Sequence, residues 1–187
     1  MSAPVSGPIG IGALDLAALL CSRVCHDLIK KSARQASAKL QFCRLAFGAA
    51  GSAGAQLDLG DAENVARGLF ADNKTTLVWN LPRQLLAKNR VKLLLNMLLI
   101  AVGTISRGGT LTVVPVPGGE AVSGFVVTAS GVNARLSPAS AALLAGSPAQ
   151  PVDAHAIQPL YAGILARDCG LTLSAGGEAG TVILTAR

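Results

Sequence analysis

One histidine stands out as a residue that could do chemistry. His26 lies in a stretch whose apolar residues recur with helical spacing, and it falls on the side opposite that apolar arc. Ser22 and Lys30 share its face, one helical turn before and after it. Leu19 and Arg23 fall on the same side. A neutral imidazole exposes a nitrogen lone pair near neutral pH, so the spacing predicts an exposed nucleophile beside cationic side chains.

The neighbours of this histidine suit the transfer of a phosphoryl group. Asp27 follows it directly and could orient the ring or take its proton. Arg23 and Lys30 could neutralise a phosphoryl group in transit. We therefore predict catalytic roles for His26 and Asp27. A lone helical histidine is more often incidental, so a non-catalytic histidine stays open at this point. The predicted phosphoryl-orienting or docking residues are Leu19, Ser22, Arg23 and Lys30.

The cysteines and the second histidine offer weaker sites. Cys21, Cys25 and His26 could be imagined as metal ligands. Both cysteines fall on the apolar arc, however, and His26 lies roughly 100° from Cys25 on a helix. No second pair of ligands follows, so we predict buried thiols and no metal site. His155 follows a proline-rich loop and is predicted to lie on the surface.

Composition narrows the class of protein. The chain has 187 residues, of which 51% are hydrophobic and only 3% aromatic, so its core must be aliphatic. The formal net charge of +6 suits an acidic protein partner. The sequence has no interleaved aromatic and basic patch of the kind that single-stranded nucleic-acid binders use. The longest apolar run, residues 93–105, is too short to span a bilayer, and the start lacks a signal peptide. We therefore predict a cytoplasmic protein with neither a nucleic-acid nor a membrane partner.

The first 50 residues are helical by pattern, with one irregularity. Between Leu14 and about Ala50 there is no proline, and the first glycine of that stretch is Gly48. The hydrophobic stripe nevertheless rotates by roughly 100° at Lys30-Lys31. The first stripe includes Leu20, and the second runs through Leu40, Cys43 and Phe47. We therefore predict two helices with a junction at the two lysines.

A glycine-rich segment, residues 48–54, predicts a flexible linker and divides the chain into domains 1–54 and 55–187. After it, strand and helix patterns alternate, and Asp61 is the predicted cap of the first helix. The order of these elements predicts one mixed sheet with helices on one face. The predicted strands cover residues 56–58, 75–80, 110–116, 124–129, 171–175 and 181–185, and the helices cover 61–73 and 89–105, then a short one from 137 and another over 158–169.

Several of these segments carry a resemblance to a known family. Arg23-Val-Cys-His26-Asp27-Leu resembles the phospho-acceptor box of histidine-kinase dimerisation domains, and residues 90–113 resemble the N-box helix and strand of their Bergerat-type ATPase domain. More narrowly, the chain is similar to the ChpT-type histidine phosphotransferases of bacterial cell-cycle phosphorelays. The segments that carry this narrower similarity are residues 26–29, 32–47 and 88–96.

The resemblance implies an α+β fold, in which an N-terminal helical hairpin forms a dimeric four-helix bundle and a degenerate Bergerat-type α/β sandwich follows. It implies that His26 shuttles a phosphoryl group between the aspartates of receiver domains. The implied partners are a second copy of the chain, a hybrid histidine kinase upstream and response regulators downstream. No cofactor is expected, because Mg²⁺ would come from the receiver domain.

Two departures from the kinase pattern concern the ability of the domain to bind ATP. The Mg²⁺-binding asparagine of the N box would fall at Ile100, and the aspartate of the adenine-binding box at Ala129. A hydrocarbon side chain can neither ligate a cation nor bind adenine through a hydrogen bond, so we predict that the domain does not bind ATP. An active ATP-dependent kinase and a non-enzymatic dimeric adaptor remain as alternatives.

The chain also departs from the phosphotransferase pattern. Members of that family join their two long helices by a turn, whereas here Lys31 leads directly into the second-helix motif at Ser32. By this comparison some 25 to 30 residues of hairpin are missing between these two positions. The departure concerns the length of the bundle and leaves His26 in place.

Overall fold

The first helix, α1, runs without a break from Ala13 to Phe47 over 35 residues. The predicted junction at Lys30-Lys31, and with it the helical hairpin, is therefore wrong for this chain. The physical reason is that no turn residue interrupts a run rich in Ala, Leu, Lys and Gln, which all favour helix. The shift in hydrophobic phase moves the apolar stripe around the helix and leaves the backbone regular.

This computed structural model describes residues 13–48, 55–71, 74–117, 121–145 and 157–187, with the side chains of α1 from residue 19 onward. Its contacts divide the chain into two units, Met1–Ser37 and Ala38–Arg187. The linker predicted over residues 48–54 lies mostly outside the described ranges, so the division into 1–54 and 55–187 stays a prediction.

The second unit contains the end of α1 and all later elements. Asp58 caps α2 by accepting a hydrogen bond from the Gly60 amide, so the predicted cap at Asp61 is wrong and Asp61 lies in the first turn. Ser137 caps α4 in front of Pro138, as predicted. The elements are β1 (Gln56–Asp58), α2 (Leu59–Phe70), β2 (Thr75–Trp79), β3 (Leu85–Ala87), α3 (Lys88–Thr104), β4 (Gly109–Pro115), β5 (Phe125–Ser130), α4 (Pro138–Leu144), α5 (Ile157–Asp168), β6 (Leu173–Gly176) and β7 (Thr181–Ala186).

The main sheet has five strands in the order β2-β4-β5-β7-β6. Strands β2 and β4 are parallel and the other neighbours are antiparallel, so the prediction of a mixed sheet is confirmed, although β1, predicted to belong to it, lies outside it. Its register places Leu111 opposite Ala129 and Ala129 opposite Val182. Strand β3, which the sequence pattern did not predict, pairs with β1 in a separate two-stranded sheet.

One face of the main sheet is buried beneath helices. Alternate residues of its strands, such as Val113, Val127 and Leu184, are fully buried, while Ile183 on the other face is partly exposed. Helix α3 packs against β4, β5 and β7, and α5 packs against α3. The prediction of helices on one face is therefore confirmed.

The end of α1 belongs to the core of the second unit. Phe42 and Ala46 are buried, whereas Leu40 is 61% exposed and Phe47 is also exposed. The second apolar stripe predicted from the sequence, which runs through Leu40, Cys43 and Phe47, is therefore wrong by about one helical position. The Phe47 ring lies 6.1 Å from the Tyr161 ring, centroid to centroid, which joins α1 to α5. No helix in the described ranges combines the length and apolar character needed to cross a membrane.

Candidate functional site

Helix α1 places the predicted docking residues around His26. Its side chain is exposed, as are those of Ser22 and Lys30, which lie one turn before and after it. Arg23 and Leu19 lie within about 60° of His26 around the helix axis, and Leu19 is 59% exposed. All five side chains therefore share one accessible face of a regular helix. That face offers a nucleophile, two cations, a hydroxyl and an apolar contact to an approaching partner.

The predicted acid does not contact the histidine. Asp27 lies about 100° from His26 around the helix, as any adjacent pair does, and is exposed. Neither side chain takes part in a hydrogen bond or an ion pair with a described residue. The catalytic role predicted for Asp27 therefore has no contact behind it in the isolated protein, and it stays a prediction for the complex with a partner.

The cysteines of α1 are not buried. Cys21, Cys25 and Cys43 are exposed, so the prediction of buried thiols is wrong for Cys21 and Cys25. No described element covers the apolar arc that was expected to bury the first two, and Val24, Leu28 and further apolar side chains of the arc are exposed with them. Cys169, on the end of the sandwich, is partly buried, and burial raises the pKa of its thiol despite the nearby Arg90.

Hydrocarbon side chains stand at two positions where the resemblance to kinases would place ligands of ATP and its metal. The described residues contain no group of three or more potential metal ligands. Ile100 and Ala129, which stand where a kinase would carry its Mg²⁺ and adenine ligands, are both buried in the hydrophobic core. Asn133, at the end of the same box, has a left-handed φ of 59° and is exposed. His155 lies outside the described residues.

Sequence reasoning missed the structural role of one buried residue. Asn96 lies on α3 and is fully buried. Its side-chain amide donates to the backbone oxygen of Ala46 at 3.2 Å and to that of Lys92 at 2.8 Å. The first bond caps an end-of-helix carbonyl of α1 that has no partner within its own helix. The available signal in the sequence is that Asn96 is a polar residue inside the apolar run 93–105. The sequence does not predict which group its side chain contacts.

A buried lysine lies one turn before that asparagine. Lys92 is only 4% exposed and packs among the apolar residues of α3. Burial, and secondarily the charge of Lys88, lowers the pKa of its ammonium group. Lys92 is therefore a local cost to stability that no sequence motif predicted.

An accessible histidine on an N-terminal helix, followed by an α/β sandwich of this topology, defines a class of phosphotransfer proteins. The family model for the histidine phosphotransferase C-terminal domain matches residues 59–179. The chain belongs to the histidine phosphotransferase family.

Two relatives agree closely with this assignment. The chain is 44% identical, over 97% of its length and all of the relative's, to the protein phosphotransferase ChpT of Brucella abortus (strain 2308). A bacterial phosphotransferase of known structure is 42% identical over 97% of this chain and all of its own, with a TM-score of 0.74. Full-length ShkA in complex with AMPPNP matches 95% of the chain over 40% of its own length, at 22% identity and a TM-score of 0.50, which shows a shared fold alone.

The match to the Brucella protein also shows a difference in length. It runs over 209 positions, whereas 97% of 187 residues is about 181, so about 28 positions have no residue of this chain. That deficit equals the predicted loss of 25 to 30 residues. Its placement between Lys31 and Ser32 stays a prediction, and the unbroken α1 agrees with it.

Proposed function

We propose that His26 is the phosphorylated residue of a multistep phosphorelay. In this proposal it receives a phosphoryl group from the aspartate of one receiver domain and passes it to the aspartate of another. The observation that carries the proposal is the exposed face of His26 with Arg23 and Lys30, in a chain of the histidine phosphotransferase family. Leu19 and Ser22 on the same face provide an apolar contact and a hydroxyl for docking.

The step is a displacement at phosphorus. An imidazole nitrogen of His26 attacks the acyl phosphate in line, the N–P bond forms, and the P–O bond to the donor aspartate breaks. The aspartate leaves as a carboxylate, and the imidazole proton passes to solvent or to Asp27. Arg23 and Lys30 offset the negative charge on the phosphoryl oxygens during transfer. The return step to the second receiver runs the same events in reverse.

The chain would supply no cofactor of its own. Mg²⁺ would be held by the acidic pocket of the receiver domain, where the aspartyl phosphate lies. We propose further that MgATP is neither bound nor used, because buried hydrocarbon side chains, Ile100 and Ala129, stand at the two positions that would recognise it. Four free cysteines agree with a cytoplasmic location, which belongs to the same proposal.

The proposed assembly is a homodimer that docks receiver domains, from a hybrid histidine kinase upstream and response regulators downstream. Its support is the apolar arc of α1, which no described part of the chain covers. Leu20, Val24 and Leu28 lie along this arc at intervals of four residues, the spacing of a helix–helix seam.

The proposed dimer is tested by light scattering on a variant that carries a charge at the central position of the arc. Val24→Asp should halve the mass measured for wild type, and an unchanged mass would place the interface elsewhere.

The test of the site is label transfer from a phosphorylated receiver domain. Wild type should gain acid-labile label, His26→Ala none, and His155→Ala, the matched control, as much as wild type. A labelled His26→Ala protein would place the acceptor elsewhere. An unlabelled wild type would favour the non-enzymatic adaptor. Labelled MgATP without a receiver should leave wild type unlabelled, and phosphohistidine formed that way would favour an active kinase.

A further inference from the structure

An open groove of about 920 Å³ lies on the second unit, and two of its lining residues, Gly131 and Asn133, belong to the box that would recognise adenine in a kinase. It is formed by the end of α3, the turn that follows, the loop after β5 and the β6–β7 hairpin. Neither Ile100 nor Ala129 lines it. Its size falls within the range of small-molecule sites in proteins.

The floor of the groove is built from closely packed backbone. The Gly131 amide donates to the Gly180 oxygen at 3.0 Å, and the Gly108 amide donates to the Ile105 oxygen at 2.8 Å. A Cβ on Gly131 would lie 2.7 Å from the Gly108 oxygen, so glycine alone permits this approach of two loops. The backbones that carry the rim residues are therefore fixed before any ligand arrives.

Two arginines stand on this rim, and the part of the chain that the structure describes places no acidic side chain in contact with either of them. Arg107 follows α3, and Arg135 follows the turn closed by the hydrogen bond from the Ala134 amide to the Gly131 oxygen. Both are exposed, and neither makes an ion pair or a hydrogen bond with a described residue. None of the described residues that line the groove is acidic. Glu178 lines the adjoining groove of about 360 Å³, which Arg135 also borders.

We propose that this groove binds a small molecule through a diphosphate group, one phosphate to each guanidinium. The guanidinium fork matches two phosphate oxygens, and a pair of forks over a cavity without acids selects two adjacent anionic groups. The remaining volume and the exposed Val132 side chain leave room for an organic substituent beyond the phosphates. This site is separate from His26 and does not depend on the proposed phosphotransfer.

Titration calorimetry with inorganic pyrophosphate and with isopentenyl diphosphate tests the proposal. The buffer contains EDTA, because bound Mg²⁺ would neutralise the charge that the arginines recognise. Each probe should bind one site per chain, and tighter binding of the ester would identify an organic diphosphate as the source. Arg107→Gln and Arg135→Gln should each weaken binding about tenfold, and raised salt should weaken it further.

Two variants separate the groove from general attraction to a basic protein. Arg167→Gln removes an exposed arginine of α5 that lines neither groove, and it should leave the affinity unchanged. Glu178→Gln removes the nearby negative charge and should strengthen binding, a gain that no folding defect produces. The proposal is overturned if wild type shows no saturable binding, or if all three arginine variants weaken it equally. It also fails if Arg107→Gln and Arg135→Gln impair only the docking of a receiver domain, since the groove is then a protein contact.

Discussion

Asn96→Ala tests whether one buried amide holds the end of α1 to the sandwich. The side chain spans two helices, since its donors reach Lys92 on α3 and Ala46 on α1. The assignment of its nitrogen is fixed by this network, because a flipped amide would point oxygen at two carbonyl oxygens. The Lys92 oxygen keeps its helical partner in the variant, whereas the Ala46 oxygen loses its capping donor in a fully buried residue.

The expected change in the free energy of unfolding of Asn96→Ala is the sum of three contributions. Leaving the buried Ala46 oxygen without a donor costs about 1–3 kcal/mol. Removing the amide leaves a small cavity in α3, which costs about 1 kcal/mol more. Against this, the Asn96 oxygen has no hydrogen-bond partner in the wild type, and its removal regains about 1 kcal/mol. The net expectation is a loss of about 2 kcal/mol in the free energy of unfolding, a large share of a typical 5–15 kcal/mol.

Urea unfolding followed by two probes measures this loss. The fluorescence of Trp79, the only tryptophan, reports on the sandwich, and circular dichroism reports on all helices including α1. Thr104→Ala is the matched control, because Thr104 is also buried on α3 but bonds only within its own helix, to Ala101. The control should cost less than about 1 kcal/mol. A change below about 0.5 kcal/mol in Asn96→Ala, or one no larger than in the control, would refute the capping role.

Three further predictions concern stability and reactivity. Lys92→Met should raise the free energy of unfolding by about 1 kcal/mol, because it removes a buried charge but keeps the volume. Since the folded pKa of Lys92 is lowered, wild-type stability should rise with pH between the folded and unfolded pKa values, and the variant, titrated in parallel, should lose that slope. Gly108→Ala should cost about 2 kcal/mol in urea unfolding, since φ is +95° and a Cβ would meet the Lys74 carbonyl; an unchanged midpoint would exclude this strain. Cys169 should react with iodoacetamide more slowly than the three exposed cysteines of α1, because its thiol pKa is raised and it is partly buried; equal rates by mass spectrometry would contradict this.

The parts of the fold that the sequence predicts are those that periodicity alone determines. Strands such as β4 and β7 alternate buried and exposed residues, and the apolar run within α3 is too long for a strand. Strand β3 was missed, because three residues, Leu85–Ala87, become a strand only through pairing with β1. Pairing between distant segments is a tertiary property and leaves little local signal in so short a stretch.

The candidate site shows the same limit. The exposure of His26 followed from its place opposite the apolar arc, which needs only helix geometry. The predicted burial of Cys21 and Cys25 is wrong, because an apolar arc indicates only which side of a helix favours burial. The sequence pattern does not show whether another element covers that side. The cap on Ala46 could not be predicted either, because it joins residues 50 positions apart.

The unbroken α1 links two features of this chain, namely its shorter length relative to the Brucella protein and the exposure of its apolar arc. In a hairpin, the helix that carries His26 would pack its apolar arc against the helix that follows. In a continuous helix no turn brings a second helix of the same hairpin back onto this arc. The exposure of the arc, from Leu20 to Ile29, is what this geometry requires. A lost turn would explain both the uncovered arc and the absence of this chain from about 28 alignment positions. In that case the proposed second copy must supply all of the packing on the arc, part of which the hairpin would otherwise have supplied.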